Sequence, residues 1–416
     1  MPEMSTRPRS LLFHRDFARL WFSQSISLLG LQFGTLAIPL VAVMTVHATA
    51  AEVAVLTGLG MTPWLVLGGV AGAWVDRWRR RYVLLVAHLG RAVVVATVPV
   101  AALLDVLSLA QLYAVVLVNG VLTVFFETAY HSYLPSLVPD RALAEGNGKL
   151  AVSDAVARAA GPTVAGAAVA RFSAPATLLG QVAANLASAC AIWRIRTVEP
   201  APAHRPEGTW AAVRAGAGFL AGRAVLRTVI VSEAGYLFCY GIAYSVLIVF
   251  LARELELDPV QIGIMFTAGS VGGIVGGLLA RRAGVVLGRT GALWLGGGLR
   301  AVGLAAVPAV VLVPPEAVVP ALVVARFVNA CGWTVWDVHR QTVQQLATPS
   351  EMLGRVNGSA LFLARGGQAL GGYAGAAVAV LLGATGTLTV GGAGAVAAVG
   401  LLLGAVSRSR DWRPRE

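Results

Sequence analysis

The chain is 416 residues long, 57% hydrophobic and only 12% charged, about half the ~25% charged share of soluble domains. A soluble core of this size cannot hide that much apolar surface, so a soluble globular domain is excluded. The net charge of +12 does not point to nucleic acid, because the basic clusters alternate with apolar runs of about 20 residues or more.

Met1 to Arg19 is polar and basic, and the apolar run after it is too long for a cleavable signal, so none is expected. Apolar runs then predict twelve membrane helices, at about 19–45, 53–75, 82–104, 109–134, 150–170, 174–193, 228–251, 260–280, 291–313, 317–338, 353–382 and 386–406. Span one carries Gln24, Gln32 and Thr35. Spans two and three are joined by GAWVDRWRRRYVLL, with Gly72, Asp76, Arg77, Arg80 and Arg81 at fixed spacing. Span four places Asn119, Thr123 and Glu127 on one helical face, and span five contains Asp154, Arg158, Gly161, Pro162 and Gly166. The long connection Arg194 to Arg227, which includes EPAPAHRPEG, divides the chain. The expected organisation is an N-terminal six-helix bundle over 1–193, a linker over 194–227 and a C-terminal six-helix bundle over 228–416.

Span seven aligns Glu233, Tyr236, Tyr240 and Tyr244, and span ten aligns Arg326, Asn329, Trp333 and Asp337. Arg365 lies in span eleven. Ionisable groups at membrane depth are costly and call for a partner or a role. Asp154 and Arg158, four apart, can neutralise each other, and Arg91 and Arg300, at similar depths in spans three and nine, suggest structural pairing. The three cysteines, Cys190, Cys239 and Cys331, are scattered singly and form neither a disulfide frame nor a zinc spacing. No catalytic triad, metal spacing or phosphate loop occurs, so neither an enzyme nor a cofactor is expected.

Two patterns span the whole chain. A shift of 210 residues places Pro139 on Pro349, Leu143 on Leu353, Asn147 on Asn357, Glu127 on Asp337 and Gly161 on Gly371. Two related halves around a midplane site is a transporter plan. The other pattern is charge. Of the 32 basic residues, only Arg171 and Arg253 sit in loops on the side opposite the arginine-rich loops. Both termini and the linker are therefore expected in the cytoplasm, in a multi-pass protein of the plasma (inner) membrane.

Gly72-x-x-x-Asp76-Arg77-x-x-Arg80-Arg81 resembles the signature loop of the major facilitator superfamily, with Arg79 where that family usually has Gly. A degraded copy, Gly277-x-x-x-Arg281-Arg282-x-Gly284, stands at the equivalent place in the second half. The resemblance implies an all-α fold of twelve transmembrane helices in two pseudo-symmetric six-helix bundles. It also implies that the loop is a cytoplasmic latch, whose arginines clamp carboxylates or helix C-terminal carbonyls in the outward-open state. The plainer alternative for Arg79 to Arg81 is a topology signal alone. Ala157-x-x-x-Gly161-Pro162-x-x-Ala165-Gly166 resembles the superfamily's antiporter motif, a tightly packed bent helix that limits leak; ordinary small-residue packing is the alternative. LLFHRDFARLWFSQSISLLG and LPSLVPDRALAEGNG are similar to the branch of enterobactin-type and macrolide-type exporters.

In that superfamily spans one, four, seven and ten line the cavity. The implied lining residues are Gln32, Asn119, Thr123, Arg158, Tyr236, Tyr240, Tyr244, Arg326, Asn329, Trp333 and Arg365, although Tyr and Trp also serve as packing or interfacial residues. The function implied is export of an amphipathic small organic molecule by proton antiport, from a monomer in the lipid bilayer. Span one lacks an acid, so coupling falls to Glu127, Glu233 or Asp337, or is absent. Glu127 is favoured, with Arg158 competing for its carboxylate; a permanent Glu127–Arg158 pair is the alternative. A nutrient or organic-anion importer, and a non-transporting sensor or assembly factor, are the rival functions.

Overall fold

The computed structural model describes residues 11, 14–68, 71–75, 77–139, 142–197, 199, 218–349 and 352–408, and no strand occurs among them. Helix α1 (Arg15–Leu40) ends in a π-helical turn, Val41–Thr45. Helices α2 (Ala50–Leu67), α3 (Ala71–Val75), α4 (Arg80–Leu103), α5 (Leu109–Leu137), α6 (Leu143–Phe172) and α7 (Ala174–Trp193) follow. The second half comprises α8 (Ala224–Val249) with its π-helical turn Phe250–Glu254, α9 (Pro259–Ala309), α10 (Pro315–Leu346) and α11 (Leu353–Arg408).

Helices α9 and α11 are too long to cross once. At 1.5 Å per residue, the 51 residues of α9 would run about 75 Å, more than twice a hydrocarbon core of about 30 Å. Each breaks at one glycine in the left-handed region, Gly288 (φ 68°) and Gly383 (φ 67°), a conformation that only glycine adopts without strain. Their arms correspond to the pairs predicted at 260–280 with 291–313 and at 353–382 with 386–406. The described helices thus have room for the twelve predicted crossings. Helices α6 and α10 run several residues beyond their apolar stretches, because their ends wall a polar cavity rather than meet lipid.

The repeat is visible in local structure. Both π-helical turns are followed by a left-handed residue, His47 (φ 57°) in one half and Glu256 (φ 51°) in the other. Each then leads into a capping box, Thr49 with Glu52 and Asp258 with Gln261. Such reciprocal side-chain bonds satisfy the orphan N–H groups of a helix start.

These turns define a far face, opposite the face that carries the start of α1 and the end of α11. On the far side the halves share one apolar core, in which Leu36, Val41, Ala165 and Val169 cluster with Val246, Phe250, Ile262 and Met265. Toward the terminus face the cores separate. Phe17, Leu84, Tyr133 and Ile192 belong to one, and Leu226, Ile230 and Val356 to another.

Polar contacts between the halves follow the same division. Arg253 donates from Nη1 to the Ala48 carbonyl and from Nη2 to the Val43 carbonyl, both at 2.7 Å. The Thr163 and Thr267 hydroxyls are 2.8 Å apart, and Ser270 Oγ donates to the Arg158 carbonyl at 2.6 Å. Nearer the middle, Thr62 and Tyr373 share a hydrogen bond of 2.6 Å. The molecule is closed on the far face and cleft toward the terminus face.

Candidate functional site

The cleft has two polar walls. The second half contributes a cavity of about 800 Å³ that includes Glu233, Trp333, Asp337, Asn357, Arg365 and Gln368. The first half contributes one of about 340 Å³ that includes Gln24, Arg91, Thr123, Glu127, Asp154 and Arg158. Asn147 and Asn357, matched by the repeat, line the first and second wall respectively.

Behind the second wall lies a buried network. Arg300, fully buried, donates from Nη1 to Glu233 Oε2 at 2.7 Å. Its guanidinium sits 3.8 Å from the Tyr236 ring centroid and 4.1 Å from that of Trp336, an arrangement that stabilises a desolvated cation. Asn329 donates from Nδ2 to the Tyr236 hydroxyl at 3.1 Å and to the Arg300 carbonyl at 2.6 Å, and its Oδ1 accepts from Arg326 Nη1 at 3.2 Å. Breaking a buried ion pair by removing one partner costs about 3–5 kcal/mol, so Glu233 and Arg300 hold α8 to the second arm of α9. Tyr236 is completely buried and serves this network without presenting surface to the cavity.

The rest of the aromatic stripe forms a ladder. Tyr240 stacks on Tyr244 with centroids 5.3 Å apart, and Trp333 meets Tyr240 edge-on at 5.2 Å. Arg365 faces the cavity from the first arm of α11 and lies 5.7 Å from the Trp64 ring of the opposite half.

On the first wall, Arg158 Nε donates to both carboxylate oxygens of Asp154, at 3.0 and 2.9 Å. The expected pairing of Asp154 with Arg158 is thus present. It corrects the alternative of a permanent Glu127–Arg158 pair and the role of Arg158 as competitor for Glu127: a partner one helical turn away on the same helix satisfies Arg158. Among the described residues Glu127 takes part in no ion pair, and the nearby buried cation is Arg91, within electrostatic reach. Thr123 donates its hydroxyl back to the Asn119 carbonyl at 2.8 Å, and Asn119 Oδ1 is buried without a partner. Asp337, by contrast, pairs with Arg340 at 2.6 Å and accepts from Gln341 at 2.7 Å.

The antiporter-like segment faces two ways. Gly161 abuts Gln32 within its own half, so Gln32 packs under α6. Gly166 abuts the Pro259 carbonyl, and Gly263 abuts the Pro162 carbonyl, across the boundary between halves. A Cβ at either glycine would overlap backbone, so bare backbones let α6 and α9 meet on the far side. The matching Gly367 and Gly371 press on the Ala234 and Phe238 carbonyls of α8, inside one half.

In the signature loop, Gly72 lies in α3, and Asp76 lies outside the described residues. The Glu199 carboxylate accepts from the Arg80 and Arg81 backbone N–H groups, both at 2.7 Å. An anion there suits the positive end of α4. The Arg81 guanidinium donates to the Ile192 and Trp193 carbonyls at the end of α7, at 3.3 and 2.5 Å. Helix C-terminal carbonyls are the expected acceptors, but they belong to the same half. With the cleft open on this face, the opposite half is out of reach. Arg77 and Arg79 border a membrane-side groove with Trp78, Tyr82 and Phe125.

Sequence reasoning missed the Arg253 clamp, the Glu233–Arg300 partnership and Trp64. A far-face arginine, one of only two in those loops, and the acid one repeat on from Gln24 were the available signals.

Residues 7–413 match the family described as transmembrane secretion effector, MFS_3. The chain is 28% identical over 151 residues to the uncharacterized MFS-type transporter YfiS of Bacillus subtilis (strain 168). That match covers 36% of this chain and about a third, 35%, of the relative's length. A bacterial homologue of the iron transporter ferroportin in its inward-facing state is 17% identical, with a TM-score of 0.73 over 94% of this chain and 97% of that one. The same homologue in its outward-facing state with soaked iron, 16% identical over 94% of this chain and 98% of that one, gives 0.59. The nucleoside transporter NupG is 11% identical, with a TM-score of 0.71 over 95% of this chain and 99% of that one. These likenesses show a shared fold.

Proposed function

The chain belongs to the transmembrane secretion effector family, and we propose that it exports an amphipathic small organic molecule by proton antiport, with its termini in the cytoplasm. The bundles 1–193 and 228–416 rock about the cavity between them, open to the cytoplasm in the arrangement described above. Protein in this state loads substrate from inside. Closing the terminus face and parting the far-face contacts then exposes the same site outside.

The observation that carries the coupling proposal is the state of the cavity acids. Glu233 is paired with Arg300, Asp337 with Arg340 and Asp154 with Arg158. Glu127, on the first wall, makes no ion pair among the described residues. A carboxylate facing a cavity without a fixed partner is free to take and release a proton as its surroundings change. Arg91, not Arg158, is the cation that competes with the proton. The antiporter-like segment, which closes the far side through Pro162 and Gly166, supports exchange over a leak-tolerant facilitator.

Proteoliposomes loaded with a panel of amphipathic dyes test this. Uphill accumulation driven by an imposed pH gradient, and abolished by a protonophore, is the expected result. Counterflow that ignores the gradient would point to a facilitator, and absence of both would favour a non-transporting scaffold.

A further inference from the structure

We infer that the molecule received by this cavity carries an oxyanion (a carboxylate, sulfonate or phosphate) and that Arg326 is the residue that neutralises it. The inference rests on the cavity being the substrate site, as proposed above.

Two arginines of the second half are withdrawn from water, and the fold treats them differently. Arg300 has two buried nitrogens without a hydrogen-bond partner, Nε and Nη2, but its charge is met by a carboxylate at 2.7 Å and by two aromatic rings, at 3.8 and 4.1 Å. Arg326 is only 9% exposed, yet no described carboxylate pairs with it. Its Nη1 has one neutral acceptor, Asn329 Oδ1 at 3.2 Å, its Nε is buried without a partner, and the nearest ring, Phe266, is 5.6 Å away. A guanidinium does not lose its proton to relieve this, so the charge stays and must be met.

The amide of Asn329 fixes the geometry. Its nitrogen is committed to Tyr236 and the Arg300 carbonyl, which turns its oxygen toward Arg326 and holds one side of the guanidinium. On another side stands Gly269, where even a Cβ would lie 3.5 Å from Nη2. The glycine lets the guanidinium lie close against the α9 backbone, and its Nε donor stays unfilled. Nε and a terminal nitrogen together form the fork that takes two oxygens of a planar or tetrahedral anion.

The surroundings agree in charge and shape. In the second half Arg340 and Arg365 line the wall, and Arg300 and Arg326 lie behind it in the buried network, against only Glu233 and Asp337. On the first wall Arg91 and Arg158 balance Glu127 and Asp154. The excess positive charge therefore lies on the side of Arg326, with Arg365 nearer the mouth to receive the anion first. About two turns further along α10 toward that mouth, Trp333 lines the cavity and offers an apolar surface for the body of the molecule.

Unfolding midpoints of the full chain in nanodiscs test the assignment with 2-naphthoate and its cationic counterpart, naphthalene-2-methylammonium. If Arg326 waits for an anion, Arg326→Met and Arg326→Gln raise the ligand-free midpoint, whereas Arg300→Met lowers it. 2-Naphthoate raises the midpoint of the wild type but binds both Arg326 variants at least tenfold more weakly, and the cation protects none of them. A fall in midpoint for the Arg326 variants equal to that of Arg300→Met would make Arg326 a packing residue and overturn the assignment. So would a wild type that 2-naphthoate does not protect, or equal protection of wild type and variants. No gradient is needed, so a protein that binds the anion but does not pump defeats the export reading alone.

Discussion

Arg253 is the perturbation that tests far-face closure most directly. It reaches from the π-helical end of α8 to two carbonyls at the end of the first crossing, with two hydrogen bonds of 2.7 Å. Charge-assisted bonds of this kind contribute about 1.5–3 kcal/mol each when well sheltered. Arg253 is solvent-exposed, and water screens it, so about 1 kcal/mol per bond is the defensible figure. Arg253→Gln then removes about 2 kcal/mol from the closed far face, a shift of roughly 30-fold in the ratio of closed to open. Spin labels at Val106 and Leu312, both exposed near far-face turns of opposite halves, report the separation once Cys190, Cys239 and Cys331 are replaced. The variant should gain a longer-distance population that the parent lacks. Arg171→Gln is the control, since that side chain lies over Phe172 of its own half. An unchanged distance distribution in Arg253→Gln would show that the apolar core alone holds the far face shut.

Three further outcomes follow. Gly166→Val places a side chain against the Pro259 carbonyl, an overpacking worth about 1–3 kcal/mol; it should lengthen the same distance and slow substrate exchange at least tenfold, and a parent-like distance would refute the contact. Single cysteines at Ser108 and Ser407 should react with an impermeant reagent in intact cells at Ser108 only; labelling at Ser407 would reverse the assigned orientation. Glu127→Gln should abolish uphill efflux on an imposed pH gradient while sparing downhill exchange, and a purified variant that still pumps uphill removes Glu127 from the coupling step.

The all-helical, many-crossing fold was legible because the bilayer imposes length and hydropathy on every span. Helix ends were less so. Apolar runs stop where lipid stops, whereas α10 continues to Leu346 along a polar cavity that hydropathy does not register. Side-chain partners were legible only when both lay on one helix, as with Asp154 and Arg158. Glu233 and Arg300 are 67 positions apart, and only packing brings them together. The same limit hid Tyr236, whose place in a polar–aromatic stripe gave no sign that Arg300 and Asn329 occupy the face expected to line the cavity.

The repeat also explains why the halves are charged differently. Asp337 is neutralised by Arg340, three residues on; its counterpart Glu127 has Tyr130 at that position. Arg300 is neutralised by Glu233; its counterpart Arg91 finds Gln24 where the acid would be, and both line the first wall. Each half inherits one acid and one arginine at equivalent depths, but only the second supplies partners for both. A paired charge resists any change of state, because separating the pair exposes both ions to low dielectric. An unpaired acid near an unpaired arginine can instead exchange a proton for that cation when the cleft dries or floods. In the second half both acids are locked to arginines, Glu233 to Arg300 and Asp337 to Arg340. In the first half, the absence of two partners gives Glu127 the freedom that a coupling residue requires.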